Sequence, residues 1–301
     1  MDLNQILNSR QSGRVALAIA RYIPPGIGKS LTNAITRHLV RRPDLPLIHA
    51  TRINQWVAQG QNLTREQLDK EVLETIRNYT LSMYTLFHYW QNLEPLEKMI
   101  RYDQNTEHLI QRSQDRKHGA MVVFIHSCNF DVSLRAASSR GLSGLVLSLP
   151  QANEAIEWQH AMRESSGVEV KPASIAVLRE ASNRLEAGET VVTGLDRPMP
   201  ESKYKPIFFG RPTALPVHYI YLALKANVPV ALATSIRQSD GIFEVVSSDL
   251  VDMKKNQDRH KEVLVNAGMI LEIAEEFIRR APTQWSVLHP LWPEEADRLP
   301  A

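Results

Sequence analysis

The sequence predicts an α/β fold with a largely parallel central sheet that is flanked by helices and preceded by an N-terminal helical section. Two observations lead to this prediction. Short apolar runs, most of them rich in β-branched residues, recur after residue 120, and helical stretches separate most of them. The first third of the chain has helical patterning instead. Buried strands that alternate with helices are typical of a parallel sheet.

The predicted helical section covers residues 1–115. Its clearest element is the stretch 63–90, which contains neither glycine nor proline and repeats apolar residues at helical spacing. Thr64 followed by Gln67 matches a capping box, in which the two residues satisfy backbone N–H groups at the start of a helix. We therefore expect a long helix that begins just after Thr64.

The predicted α/β body covers residues 116–301, and we expect it to form one unit with the helical section. The predicted strands are MVVFI (121–125), GLVLSL (144–149), TVVTGL (190–195), VPVALATS (228–235) and IFEVV (242–246). The predicted helices are 174–188, 216–227 and 259–280. The first two end with Gly or Asn, residues that commonly terminate helices.

Composition narrows the class of protein. Of 301 residues, 43% are hydrophobic and 23% charged, which is typical of a folded globular chain. The single cysteine, Cys128, excludes an intrachain disulfide and fits a reducing compartment. The start, MDLNQILNSR, does not match a signal peptide. No run approaches the roughly 20 apolar residues that a membrane-spanning helix needs, so we expect none.

The charge distribution singles out the N-terminal region. Between Asp2 and Asp44 there is no acidic residue, whereas seven lysines and arginines alternate with apolar stretches such as VALAIA. This pattern indicates a helix that lies on an anionic membrane surface, although a solvated helical face with a chance charge bias would look the same. Nucleic-acid binding is not expected, because aromatic residues are almost absent from the segment.

A candidate catalytic pair follows the first predicted strand of the body. VVFIHSCNFDVS (122–133) places His126 at the carboxyl end of a buried run and Asp131 five residues later. In α/β sheets, binding sites gather beyond the carboxyl ends of the strands. If the chain turns between the two residues, the carboxylate can fix the imidazole tautomer and leave the other nitrogen as a base for a substrate hydroxyl. A merely hydrogen-bonded structural histidine is the alternative.

Other chemistries have weaker support. Cys128 is a rival nucleophile, but a lone cysteine is more often a small buried apolar residue. No third ligand stands at a recognisable spacing, so no metal site is expected. PPGIGKS (24–30) looks like the end of a phosphate-binding loop, yet Ile23 and Pro24 occupy the region where that loop needs its first glycine, and no strand precedes it.

The motif HSCNFD resembles the H-x4-D/E motif of the lysophospholipid acyltransferase superfamily. It is most similar to the branch of bacterial lipid A acyltransferases and phosphatidylinositol mannoside acyltransferases, which typically has His-x-Gly-Asn-Trp-Glu. His126 and Asn129 match, Phe130 stands for Trp and Asp131 for Glu. Cys128 replaces the usual glycine.

Further segments resemble the same branch in the same order. They are MRESSGVEV (162–170), LEAGETVVTGLDRP (185–198), PIFFGRPTALPVHYIYLALKANVPV (206–230) and PTQWSVLHPLW (282–292). The last lacks the arginine that lipid A enzymes often carry before the final Trp. The substrate-binding residues that the resemblance implies are Asn129, Arg163, Asp196, Arg197, Phe209, Gly210 and Arg211, with the three arginines on phosphate groups.

The resemblance implies an O-acyltransferase that works at a membrane surface. His126 would be the general base oriented by Asp131, the acyl donor would be acyl-ACP or acyl-CoA, and the acceptor would be a hydroxyl of a lipid or glycolipid. No cofactor is implied, and the protein is expected on the cytoplasmic face of the cell membrane as a peripheral protein. The alternatives are a non-catalytic relative that binds lipid or acyl chains and a hydrolase that uses the thiol of Cys128.

Overall fold

The fold was determined as a computed structural model that describes residues 17–128, 130–148, 154–165 and 167–300. The N-terminal section is helical, as predicted, over its described part, while residues 1–16 of the predicted section lie outside the described residues. Residues 17–22 form part of a helix. The helices that follow are α1 (Pro25–Val40), α2 (Pro46–Ala58), α3 (Arg65–Tyr89) and α4 (Leu93–Lys98).

The start of α3 confirms the predicted capping box. Thr64 Oγ1 accepts a hydrogen bond from the backbone N–H of Gln67 at 3.2 Å, and Gln67 Oε1 accepts one from the backbone N–H of Thr64 at 2.7 Å. Both groups would otherwise lack a partner at a helix start, and for this reason the long helix begins here.

The central sheet has seven strands in the order β1-β9-β8-β2-β5-β3-β4. Every neighbouring pair is parallel except β8 and β9, which confirms the predicted fold class. The strands of this sheet are β1 (Ile100–Tyr102), β2 (Ala120–Phe124), β3 (Leu145–Ser148), β4 (Glu169–Pro172), β5 (Thr190–Gly194), β8 (Val230–Arg237) and β9 (Phe243–Ser247). The short strands β6 (Ile207–Phe208) and β7 (Arg211–Pro212) pair only with each other.

Helices connect these strands. They are α5 (Gln104–Asp115), α6 (Phe130–Ser139), α7 (Glu154–Glu164), α8 (Ile175–Glu186), α9 (His218–Ala226) and α10 (Arg259–Arg280), followed by 3-10 turns at Pro282–Gln284 and Pro293–Arg298. The three helices predicted in the body correspond to α8, α9 and α10. Two strands, β1 and β4, were not predicted from the sequence, because they are short edge strands with charged residues and no apolar run.

The central strand β2 is buried on both faces. Met121 and Val123 pack into the main core with α9 and α10, whereas Val122 and Phe124 pack with α5 and α6 on the other face. Because no polar residue interrupts β2, the first polar side chain after it, that of His126, appears only at the carboxyl edge of the sheet. Within the described residues, no helix has the length and apolar character that crossing a bilayer requires.

Candidate active site

Strand register places a carboxylate beside His126. Phe124 in β2 is paired with Gly194 in β5, and the N–H of Leu195 donates to the carbonyl of Phe124 at 2.9 Å, so the two chains continue side by side past the strand ends. His126 and Asp196 each stand two residues beyond that last pair. They are therefore neighbours at the carboxyl edge of the sheet.

Asp196 holds the imidazole of His126 from one side. Its Oδ1 lies 2.6 Å from His126 Nδ1, and its Oδ2 accepts from the backbone N–H of His126 at 2.9 Å and from Trp285 Nε1 at 2.7 Å. The side chain of Asp196 is fully buried. Burial alone would raise its pKa, but the nearby His126 and these hydrogen bonds outweigh burial and hold the pKa of Asp196 below its usual value. Asp196 is thus a carboxylate, and Nδ1 of His126 carries the proton.

The structure corrects the predicted partner of His126, which is Asp196 and not Asp131. Asp131 lies in the first turn of α6, where its Oδ1 accepts from Arg163 Nε of α7 at 2.7 Å. Nδ1 of His126 faces β5 instead, because the parallel pairing of β2 and β5 brings Asp196 alongside it. Asp131 remains close enough to line the same cavity as His126.

Arg197, the residue after Asp196, contacts the other imidazole nitrogen. Its Nε donates to His126 Nε2 at 3.2 Å. A guanidinium N–H can only donate, so Nε2 must be the unprotonated nitrogen. His126 is therefore neutral, with its proton on Nδ1. Burial is the main cause that lowers the pKa of the Arg197 guanidinium, and the adjacent Asp196 carboxylate opposes this effect.

The C-terminal segment, residues 284–286, binds the chain that follows β2 through backbone hydrogen bonds. The backbone N–H of Cys128 donates to the carbonyl of Gln284 at 2.7 Å, and that of Ser286 donates to the carbonyl of His126 at 2.9 Å. Trp285, between these two, reaches Asp196 through its indole N–H. Trp285 was not predicted as a site residue, although it belongs to the segment PTQWSVLHPLW, which resembles the family.

His126 lies between two cavities. The polar cavity, of about 160 Å³, is also lined by Tyr79 of α3, Asp131 and residues 286–289. The apolar cavity, of about 360 Å³, extends over the carboxyl ends of β3, β4 and β5 toward α8 and α9. Phe130, Gln159, Arg163 and Arg197 line both. The side chain of His126 is 23% exposed, so a substrate can reach it.

The apolar cavity has the character of a binding site for a chain of methylene groups. Val146, Ile175, Leu178 and Met199 contribute to its wall. His218, also in the wall, is neutral near pH 7, since burial lowers its pKa to about 4, and its Nε2 lies 3.0 Å from Thr193 Oγ1. The cavity wall therefore carries little charge away from Arg163 and Arg197.

A second apolar space lies behind two stacked rings. The rings of Phe124 and Phe130 are 3.7 Å apart between centroids and almost parallel. Both residues line the apolar cavity and also an inner apolar cavity of about 80 Å³ between the sheet and α5 and α6. The stacked pair separates the two spaces.

Cys128 does not have the properties of a nucleophile. It is buried, and burial raises the pKa of its thiol to about 12. The thiolate is the reactive form, so this side chain is unreactive near pH 7. The thiol-dependent hydrolase is therefore not supported. Within the described residues, no group of three or more histidine, cysteine or acidic side chains is placed to hold a metal ion.

The remaining predicted residues do not all gather at His126. Arg163 does, but Asn129 lies outside the described residues. Arg211 is held by the buried carboxylate of Glu295, with Nη1 and Oε1 2.6 Å apart, and Phe209 lines a separate cavity beside Gly60 and Arg279. Gly210 follows Phe209 in that same turn, with a positive φ of 74°. The structure does not bring residues 209–211 into either cavity beside His126.

A mostly parallel α/β sheet that presents an accessible histidine, held by a buried aspartate, beside an apolar cavity has the architecture of an enzyme for a partly apolar substrate. The chain belongs to the bacterial lipid A biosynthesis acyltransferase family, whose family model matches residues 17–294. The family implies a lipid acyltransferase. Among curated proteins, none matches the chain.

Proposed function

We propose that this protein transfers a fatty acyl group from a thioester, acyl-ACP or acyl-CoA, to a hydroxyl of a lipid or glycolipid, with His126 as the general base. The observation that carries the proposal is the position of His126. Buried Asp196 holds its Nδ1, while the His126 side chain lines both the polar and the apolar cavity. The polar cavity suits an acceptor headgroup and the apolar cavity an acyl chain.

The reaction balances without a covalent acyl-enzyme. Nε2 takes the proton of the acceptor hydroxyl while the oxygen forms a bond to the thioester carbonyl carbon. The carbonyl oxygen becomes an oxyanion, the C–S bond then breaks, and the leaving sulfur receives the proton from the imidazolium. Asp196 stabilises the imidazolium that exists between these two proton transfers. General-base catalysis of this kind typically contributes about 10²- to 10⁴-fold.

The oxyanion needs a donor that is not already engaged. Two backbone N–H groups at the corner after β2, those of Ser127 and Cys128, donate to the carbonyls of Ile125 and Gln284. The hydroxyl of Ser127 is buried and has no hydrogen-bond partner among the described residues. A buried donor without a partner is costly, so such a group indicates a use. We assign Ser127 Oγ to the oxyanion.

The acyl chain is assigned to the apolar cavity. Its wall between Val146 and Met199 would bury the first part of the chain, and the inner apolar cavity behind Phe124 and Phe130 would receive the end of a longer one. Each buried methylene group contributes about 0.8 kcal/mol. The depth of this space therefore sets the preferred chain length.

Membrane attachment is assigned to α1. Ile27, Leu31 and Ile35 follow one another at intervals of four residues and are exposed by 61%, 45% and 43%, so they form one apolar stripe. Lys29 and Arg37 belong to the same helix, which carries no acidic residue. An apolar stripe flanked by positively charged side chains is suited to binding the surface of an anionic membrane. We propose peripheral attachment there, on the cytoplasmic face.

The test is acyl transfer by the purified protein and by its His126→Gln variant. Radiolabelled palmitoyl-CoA and palmitoyl-ACP serve as donors, and lipids extracted from cells that lack the gene serve as acceptors. The wild type is expected to label a lipid, and the variant to lose about 10²-fold or more of that rate while it still binds vesicles of the extract. If both proteins bind the lipid and neither transfers, the protein is the non-catalytic lipid-binding relative.

A further inference from the structure

The base proposed for the reaction is covered by a neighbouring side chain. Nε2 of His126 must carry an open lone pair to take a proton, yet Arg197 Nε donates to that lone pair at 3.2 Å. A substrate hydroxyl cannot use Nε2 until this guanidinium leaves.

Resting on the acyl transfer proposed above, we propose that Arg197 is a positioning residue that masks Nε2 of His126 until a substrate binds, and that a phosphate group of the incoming substrate draws the guanidinium away and exposes the base. The two residues that contact the imidazole nitrogens are neighbours in sequence. Asp196 contacts Nδ1, and Arg197 covers Nε2. A short segment after β5 therefore controls both nitrogens.

Three features allow Arg197 to move. It follows β5 in a bend outside any helix or strand, it is only half-buried, and it lines both the polar and the apolar cavity. A change of side-chain rotamers can thus withdraw its guanidinium from Nε2 while it remains at the site. Asp196 does not need to follow, since His126 and Trp285 hold its carboxylate.

The positive charges around Arg197 favour a phosphate as the group that draws its guanidinium away from His126 Nε2. The guanidinium of Arg163 lines the same two cavities, and it is one of the causes that lower the pKa of Arg197, so the two cations repel each other. A phosphate between them would relieve this repulsion. Guanidinium binds phosphate through two parallel hydrogen bonds to an anion. To His126 Nε2 it donates a single hydrogen bond, and the acceptor carries no charge, so this contact is the weaker of the two.

Either substrate can supply such a phosphate. The donor carries it on coenzyme A or on the phosphopantetheine arm of the carrier protein, and a lipid acceptor carries it in its headgroup. In both cases the base becomes active only when the substrate is seated. Where the acceptor supplies the phosphate, transfer of the acyl group to water is suppressed in the enzyme that holds only the donor.

The first test observes Nε2 directly by ¹⁵N NMR of histidine-labelled protein, with the His126 resonance assigned from its loss in His126→Gln. Coenzyme A is the donor probe and sn-glycerol 3-phosphate the headgroup probe. In the wild type, at least one probe is expected to move Nε2 to the shift of an imidazole nitrogen without a donor. Arg197→Gln is expected to show that shift without a probe and to respond to neither.

The second test is kinetic and compares acyl-CoA with the N-acetylcysteamine thioester of the same fatty acid, which has no phosphate. Arg197→Gln is expected to lose rate of acyl transfer with acyl-CoA. With no acceptor present, and hence no phosphate at the site, the variant is expected to gain about tenfold in hydrolysis of the phosphate-free donor, because the base is unmasked. A residue that only binds phosphate, or only supports the fold, cannot raise that second rate. The matched control is Arg140→Gln, an exposed arginine paired with Glu107.

The outcomes separate the two proposals. If Nε2 has the same shift in the wild type and in Arg197→Gln, or if neither probe moves it in the wild type, the mask does not exist, whatever the transferase activity. If the mask is seen but His126→Gln transfers acyl groups as fast as the wild type, the proposed role of the base is wrong. A response to coenzyme A alone identifies the donor as the releasing substrate, and a response to glycerol phosphate alone identifies the acceptor.

Discussion

His126 Nδ1 and Asp196 Oδ1 lie 2.6 Å apart although 70 residues separate them in the chain. The parallel pairing of β2 with β5 brings the two together, since each follows its strand by two residues. Asp131, only five residues from His126, is instead the partner of Arg163. The two carboxylates therefore have different partners, and the loss of each should have a different effect on the reaction.

Asp196→Asn is expected to lower kcat for acyl transfer by about 10²- to 10⁴-fold, because an amide can neither fix the proton on Nδ1 nor stabilise the imidazolium. Asp131→Asn should cost about tenfold, through a weaker hold on Arg163. Steady-state kinetics of both variants under the same conditions checks this. A larger loss in Asp131→Asn than in Asp196→Asn would show that the roles are reversed.

Trp285→Phe is expected to lower kcat about tenfold and stability by about 1 kcal/mol, since it removes the indole N–H that Asp196 accepts while keeping an aromatic ring. The matched control is Trp292→Phe, because Trp292 Nε1 donates to Thr213 Oγ1 at 2.8 Å. That variant should lose similar stability in urea unfolding and keep its kcat. Equal losses of kcat in the two variants would contradict a role for the indole at Asp196.

Cys128→Ser should leave acyl transfer within about twofold, because the proposed reaction forms no bond to sulfur. Native protein at pH 8 should also resist iodoacetamide, and urea-unfolded protein should react, as mass spectrometry of the peptide can show. Loss of activity in Cys128→Ser would overturn the scheme without a protein nucleophile.

The same thiol makes stability depend on alkaline pH. Burial raises its pKa from 9.0 to about 12, so the unfolded chain loses the proton first as pH rises. The stabilising contribution is fully present below pH 9 and is lost progressively as pH rises from there toward the folded value. Urea unfolding of the wild type should thus weaken over this range more steeply than that of Cys128→Ala. Parallel pH profiles would argue against a buried, protonated thiol.

Leu178→Trp should shift the preferred donor toward shorter acyl chains, because the larger side chain occupies the apolar cavity. The measurement is kcat/KM for a series of saturated acyl thioesters of increasing length. Ala176→Trp is the matched control on the same helix, at an exposed position, and should leave the profile unchanged. A profile that is the same in both variants would place the acyl chain elsewhere.

Replacing Ile27, Leu31 and Ile35 with Gln should reduce sedimentation with anionic phosphatidylglycerol vesicles about tenfold or more, since three exposed apolar side chains no longer enter the interface. Leu250→Gln with Val265→Gln is the control, because these residues are exposed but lie outside α1. Binding by the wild type should weaken at high salt. Unchanged binding after the triple substitution would remove α1 as the attachment surface.

Some features of this protein could be predicted from residues close together in the chain. The capping box at Thr64 and Gln67 and the end of a buried strand at His126 depend on local hydrogen bonding and on uninterrupted apolar patterning. Edge strands such as β1 and β4 could not be predicted, because charged residues leave them without a local pattern.

By itself, the sequence determined the fold class and the position of His126 at the edge of the sheet, because the spacing of apolar residues that distinguishes strands from helices can be read from consecutive residues. Only the tertiary structure decided which carboxylate holds the imidazole and which cation covers it. Asp196 and Arg197 reach His126 through the register between two strands that are distant in the chain. Register depends on hydrogen bonds between those strands and on the packing of both sheet faces, which no short segment encodes.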